Sequence, residues 1–118
     1  MTSDSSIFAK LMAVIGDRKA NPSEKSYTNK LLAGGVDKIG AKITEEAAEV
    51  IEAAAEFLVD VDNGPAHEHL AHEAADLIYH LFVMLAHRDV KLSEVEAKLA
   101  ERFGISGLEE KASRNKPS

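Results

Sequence analysis

The apolar residues of this chain recur every three to four positions along most of its length, which is the spacing of amphipathic α-helices. We find no segment in which apolar and polar residues alternate as they do along a half-buried strand. The pattern therefore predicts an all-α protein, a compact helical bundle of about four main helices.

Caps and turn-forming residues divide this pattern into helices. The first predicted helix follows a Ser or Asp cap within residues 3–6 and ends by Asn21-Pro22. A short helix comes next, and it stops at Gly34-Gly35 because glycine adopts a positive φ without strain. The N-terminal part of the chain thus contains two helices.

Two long helices form the predicted centre of the bundle. Counting only the four main helices, the second should span about 36–59 and the third about 66–87. A turn over residues 62–65 makes these two helices antiparallel neighbours. A capping box, Ser93 with Glu96, opens a fourth helix. The residues predicted to face the core are Ile39, Ile43, Val50 and Phe57 on the second helix and Leu70, Ala74, Leu77, Leu81 and Leu85 on the third.

Composition narrows the class of protein. The 118 residues suffice for one domain over 1–118, with a C-terminal tail over about 105–118. The chain has no cysteine, which excludes disulfides, thiolate zinc sites and a cysteine nucleophile, and fits the cytoplasm. We expect no secretory signal and no membrane span. The net charge of −6 and the lack of a basic stripe argue against a nucleic-acid partner.

Carboxylates occur at helical spacing on both long helices. The motif E-E-x-x-E supplies Glu45, Glu46 and Glu49, and E-x-x-D supplies Glu73 and Asp76. Residues three apart share a helix face, so the two motifs can converge between antiparallel helices. Converging carboxylates repel unless a cation lies among them, and an all-oxygen set suits Mg²⁺ or Mn²⁺ better than zinc.

Other interpretations of these carboxylates remain open at this stage. Glutamate-rich helices are commonly solvated faces, so the chain can also be a non-catalytic helical interaction module with an acidic surface. The run H-E-x-x-D differs from the zinc-protease motif at its last position. A di-iron bundle would need Glu-x-x-His pairs, which these helices lack.

Three stretches together resemble a known family. "SYTNKLLAGGVDKIGAKITEEAAEV", "HEAADLIYHLFVMLA" and "SGLEEKASR" are similar to the phosphoribosyl-ATP pyrophosphohydrolases of histidine biosynthesis. These belong to the wider MazG-like all-α nucleotide pyrophosphohydrolases. The resemblance implies metal-dependent cleavage of phosphoribosyl-ATP to phosphoribosyl-AMP and pyrophosphate, by a stand-alone homodimer. The alternative is a MazG-like pyrophosphohydrolase of other nucleoside triphosphates.

The resemblance also implies roles for residues of this chain. Glu46, Glu49, Glu73 and Asp76 match the metal ligands, and Glu45, with Glu46 and Glu49, belongs to the catalytic group. The tail is implied to close over the substrate. We expect several cations to contact phosphates, namely Lys30, Lys38, Lys42, Lys111 and Arg114. The alternatives are that Lys42 only pairs with Glu45 or Glu46 on the helix surface, and that Lys111 and Arg114 are ordinary charges of the tail.

The histidines receive no catalytic assignment from the sequence. His80 lies on the carboxylate side of its helix, and we interpret it as a packing residue beside Tyr79, with a hydrogen bond to a metal ligand as the alternative. His67, His69 and His72 lie at the start of the same helix, where exposure is expected.

Overall fold

The computed structural model describes residues 6–58 and 64–103, and all of its regular structure is helical. The all-α prediction is therefore confirmed for these residues. None of their helices is both long and apolar enough to pass through a membrane. The helices are α1 Ile7–Ala20, α2 Tyr27–Ala55, α3 Gly64–His87 and α4 Leu92–Phe103, with a 3₁₀ turn over Glu56–Leu58.

Contacts divide the chain into two units, one through Arg88 and one from Asp89. In the first unit α3 packs against both α2 and α1. That residues 1–118 form a single domain remains a prediction. The C-terminal tail, with Lys111 and Arg114, lies outside the described residues.

The start of each of the first two helices is fixed by a serine cap. Ser6 lies within the predicted range 3–6, whereas no cap was predicted at Ser26. The Ser6 hydroxyl accepts a hydrogen bond from the Ala9 amide at 3.0 Å, and the Ser26 hydroxyl accepts one from the Asn29 amide at 3.2 Å. At the opposite end, the Lys19 ammonium donates to the Ala86 carbonyl at 2.8 Å, which ties α1 to the last turn of α3.

Gly35 interrupts α2 with a φ of 73° and a ψ of −167°, so α2 consists of two helical segments. The predicted break at Gly34-Gly35 is thus correct, although only Gly35 has a positive φ. Gly34 is needed for space, because a Cβ there would lie 2.6 Å from the Cβ of Lys38. The break is tight enough that neither position suits a larger residue.

The direction of the chain reverses at this break. Before it, Tyr27 contacts His80 of α3; after it, Gly40 lies beside Met84 and Glu49 beside Glu73. The first segment of α2 therefore runs parallel to α3, towards the C-terminus of α3. The second segment runs antiparallel to α3. This reversal places the start of α2 next to the middle of α3.

Some predicted boundaries and core positions are wrong. The helix predicted to span about 36–59 ends at Ala55, where α2 ends, and continues only as a 3₁₀ turn. The next helix, α3, begins at Gly64, two residues earlier than expected. Pro65 is tolerated there because a first-turn amide has no helical acceptor. Leu81, predicted to face the core, is 42% exposed, while Phe82 and Val83 are buried. Packing against α1 as well as α2 shifts the buried face of α3.

The predicted capping box of α4 is also wrong by two residues. The helix begins at Leu92, so Ser93 lies inside it. The backbone amide of Lys91 instead donates to the Glu94 carboxylate at 3.0 Å. A glutamate three residues after the cap can make this bond whichever residue precedes the helix, so Glu94 replaces Glu96 in that role.

Candidate active site

Three of the predicted carboxylates meet between α2 and α3. One oxygen each of Glu46, Glu49 and Glu73 lies within 4.8 Å of the others. The second segment of α2 carries Glu46 and Glu49 one turn apart on one face, and antiparallel packing brings Glu73 opposite. The structure therefore brings both acidic motifs together.

The donor set of this cluster fits a divalent cation. Glu46 is 6% exposed, and its Oε1 has no hydrogen-bond partner; the buried Oε1 of Glu73 has none either. Unpaired buried carboxylate oxygens are costly, and a cation would satisfy both. The ligands are all oxygens, which is the chemistry that Mg²⁺ and Mn²⁺ prefer.

The crowding of like charges is visible in the protonation of Glu49. A shared hydrogen bond with Glu73, partial burial and repulsion from Glu46 raise the pKa of Glu49 from 4.5 to about 7. Without a cation, the cluster therefore keeps a proton near neutral pH. A bound cation would displace that proton.

The protein without metal should lose stability as pH rises from about 4.5 to 7. The folded state keeps the Glu49 proton that the unfolded chain has released, so the associated stability is present below 4.5 and is lost as pH passes through the folded pKa. Glu49→Gln should flatten this slope in urea unfolding with a chelator present. Glu52→Gln, an exposed glutamate on the same helix, should leave the slope unchanged. An equally steep slope in Glu49→Gln would show that another group is responsible.

Asp76, the fourth predicted ligand, is not part of this three-carboxylate group. Its carboxylate lies 3.3 Å from His72 Nε2 and is 41% exposed. It is one helical turn beyond Glu73 on α3, so it borders the cluster. Asp76 as a metal ligand stays a prediction.

Lys42 brings a positive charge to the edge of the cluster. Its ammonium is 3.2 Å from Glu45 and 3.7 Å from Glu46. The hydrogen bond to Glu45, the largest influence, raises the pKa of Lys42, so this group stays charged. Glu45 itself is exposed, with its carboxylate on the solvent side of the motif.

The other described lysines of the predicted phosphate set lie elsewhere. Lys38 packs over Gly34 at the reversal of the chain. Lys30 lines a cavity of about 670 Å³ together with Lys19 and His87. His87 is fourteen residues beyond Glu73, which corresponds to about 21 Å along α3.

Two contacts of the carboxylates were not predicted from the sequence. His69 Nδ1 lies 2.8 Å from Glu56, and its Nε2 lies 3.2 Å from Glu73. The hydrogen bond to Glu56 is the largest influence and raises the pKa of His69; partial burial opposes it, and the charge of Glu56 and the bond to Glu73 add to it. The spacing of four between His69 and Glu73 is a usable sequence signal, but the contact with Glu56 depends on packing between helices.

His80 connects α3 to the start of α2. It is 5% exposed, its Nδ1 bonds the Asp76 carbonyl at 2.8 Å, and its Nε2 bonds the Tyr27 hydroxyl at 2.9 Å. The burial of His80 agrees with its interpretation as a packing residue. Its hydrogen bond to Asp76 involves the backbone carbonyl and not the carboxylate predicted as a metal ligand. Tyr27 belongs to the stretch "SYTNKLLAGG", which carried the resemblance, yet no role was predicted for Tyr27 from the sequence.

Comparison with known proteins identifies the family. The family profile described as phosphoribosyl-ATP pyrophosphohydrolase matches residues 8–103. The chain belongs to this family.

Individual members of the phosphoribosyl-ATP pyrophosphohydrolase family are closely similar to this chain. A protein of Rhodopirellula baltica named phosphoribosyl-ATP pyrophosphatase is 50% identical over 105 residues, covering 89% of this chain and 83% of the relative. One of the same name from Dinoroseobacter shibae is 48% identical over 109 residues, covering 92% and 99%. A bifunctional histidine biosynthesis protein of Lactococcus lactis is 45% identical over 104 residues, covering 88% of this chain and 45% of the relative.

Proposed function

We propose that this chain hydrolyses phosphoribosyl-ATP to phosphoribosyl-AMP and pyrophosphate with the aid of a divalent cation, Mg²⁺ or its substitute Mn²⁺. Family membership supports the substrate and the reaction. The observation that supports the cation is the pair of buried, unpaired carboxylate oxygens on Glu46 and Glu73. In this proposal the chain acts in the histidine pathway, in the cytoplasm.

Each residue of the site has a separate role in the proposed reaction. Glu46, Glu49 and Glu73 would hold the cation, with Asp76 at the edge of the site as the fourth ligand. The cation would supply activation of water, polarisation of phosphoryl oxygens and neutralisation of the leaving pyrophosphate. Glu45 is placed to orient water on the solvent side, and Lys42 offers its charge to the triphosphate.

A homodimer is part of the proposal, and an exposed stripe on α2 supports it. Ile51 is 70% exposed, which is unusual for an isoleucine in the middle of a helix. Residues at helical spacing on either side of it are small and exposed, so another helix can approach closely. We define the exposed stripe as Ala41, Thr44, Ala48, Ile51 and Ala55.

The proposed reaction is tested by measuring pyrophosphate release from phosphoribosyl-ATP with and without Mg²⁺, beside a panel of ordinary nucleoside triphosphates. We expect release that requires the metal and favours phosphoribosyl-ATP. Preference for another triphosphate would support the alternative MazG-like activity and reject the histidine pathway. If folded protein released no pyrophosphate from any substrate, the carboxylates would be interpreted as a solvated face or an interaction surface.

A further inference from the structure

Tyr27 is held rigidly at the side of the carboxylate cluster. The Asp76 carbonyl can only accept a hydrogen bond, so His80 Nδ1 donates to it, and the tautomer with its ring proton on Nδ1 accepts at Nε2. The Tyr27 hydroxyl is therefore the donor in its 2.9 Å bond to His80. Because His80 is buried, this bond fixes the phenol of Tyr27 against the middle of α3.

Neighbouring rings fix the plane of Tyr27 as well. Tyr79 lies nearly parallel to it, with ring centres 6.2 Å apart, and His80 meets it edge-on at 5.9 Å. Tyr79 is itself hydrogen-bonded to the Thr28 hydroxyl. The orientation of the Tyr27 ring is thus set by two neighbours, Tyr79 and His80.

Despite these contacts, Tyr27 is 48% exposed. Its surroundings are polar and charged, since Lys42, Glu45 and Glu46 all lie close enough to influence it electrostatically. A fixed, half-exposed aromatic ring beside a cation site offers a flat apolar surface next to the position of the phosphates. Such surfaces bind the faces of nucleobases.

We propose that the exposed face of Tyr27 binds the purine base of the substrate, and that His80 and Tyr79 position the ring for it. This inference rests on the proposed function, because it assigns the base of the same nucleotide whose phosphates lie at the carboxylates. It identifies purine nucleotides as the ligand class that Tyr27 recognises.

The hydrogen-bond arrangement argues against a different role for Tyr27. Phosphate oxygens accept hydrogen bonds, and the Tyr27 proton is already donated to His80. The hydroxyl is therefore poorly suited to bind the triphosphate. Recognition by Tyr27 then depends on its ring, and the hydroxyl serves to hold the ring in place.

The first test separates the ring from the hydroxyl. Tyr27→Leu should raise the KM for phosphoribosyl-ATP on the order of ten- to hundredfold, while the affinity for tripolyphosphate, which lacks a base, stays unchanged. Tyr27→Phe keeps the ring but loses its bond to His80, so it should raise KM less than Tyr27→Leu and about as much as His80→Leu. His80→Leu should raise KM without lowering kcat, and His80→Gln, whose amide oxygen can accept the Tyr27 proton, should restore it.

The second test reads binding directly and needs no catalysis. The chain contains no tryptophan, so Tyr27→Trp introduces a single reporter. AMP should quench its fluorescence, and tripolyphosphate should not. Phe8→Trp is the matched control, because Phe8 is 47% exposed and has no place in the proposed site; AMP should leave its fluorescence unchanged.

Failure of this inference differs from failure of the proposed function. If wild-type protein hydrolyses phosphoribosyl-ATP but Tyr27→Leu keeps its KM, or AMP does not quench Tyr27→Trp, the base does not lie on Tyr27. Equal loss of tripolyphosphate affinity in Tyr27→Leu would also overturn it, because the change would then affect the phosphate site. If wild-type protein shows no hydrolysis at all, the proposed function fails.

Discussion

Replacing Glu49 with Gln should lower kcat for phosphoribosyl-ATP on the order of 10²–10³-fold. The change removes a charged ligand from the middle of the three-carboxylate cluster and keeps the size of the side chain. The fold should remain intact, because the variant also removes the like-charge repulsion around Glu49. Pyrophosphate release over a range of Mg²⁺ concentrations measures the effect, and a higher half-saturating Mg²⁺ concentration is expected.

Glu52→Gln is the matched control for this variant. Glu52 lies three residues further along α2 and is exposed, outside the carboxylate cluster. We expect its activity within about twofold of wild type, as for most surface substitutions. If Glu49→Gln were as active as Glu52→Gln, the cluster would not hold the catalytic cation.

Replacing Ile51 with Lys should convert the proposed homodimer to a monomer. A lysine at the centre of the exposed stripe would place an unpaired charge in an apolar contact, which raises the dimer dissociation constant by about 100-fold or more. Sedimentation or light scattering over a range of protein concentrations measures this constant. The expected monomer should keep its helical circular dichroism spectrum.

Ile7→Lys provides the control for the dimer experiment, since Ile7 on α1 is 71% exposed and Ile51 is 70% exposed. The Ile7 variant should stay dimeric. Dissociation by Ile7→Lys instead of Ile51→Lys would place the interface on α1. A wild-type protein that is monomeric at micromolar concentration would contradict the dimer itself.

The helices could be predicted from the sequence where their signals are local. Ser6 as a cap and Gly35 as a break act on their nearest neighbours, so the sequence pattern contains both. The position of Leu81 depends on α1 packing against α3, which no pattern within α3 reveals. The reversal of the chain at Gly35 likewise required the contacts between helices.

The candidate site shows the same division. Glu46 and Glu49 share a face because of their spacing, so the sequence could place them together. Their approach to Glu73 followed from the antiparallel arrangement of the long helices, which was also predicted. By contrast, the contacts of His69 with Glu56 and of His80 with Tyr27 join residues thirteen and fifty-three positions apart, and only packing brings them together.

Because the chain reverses at Gly35, the number of residues in the first segment of α2 determines where Tyr27 lies relative to Lys42. Tyr27 is eight residues before Gly35 and Lys42 is seven after it, so the two arms of the reversal are nearly equal and end side by side. Deleting one residue from the first arm would rotate Tyr27 by about 100° around the helix axis and shift it about 1.5 Å. The number of residues in this arm is therefore a constraint on the site that is separate from the identity of their side chains.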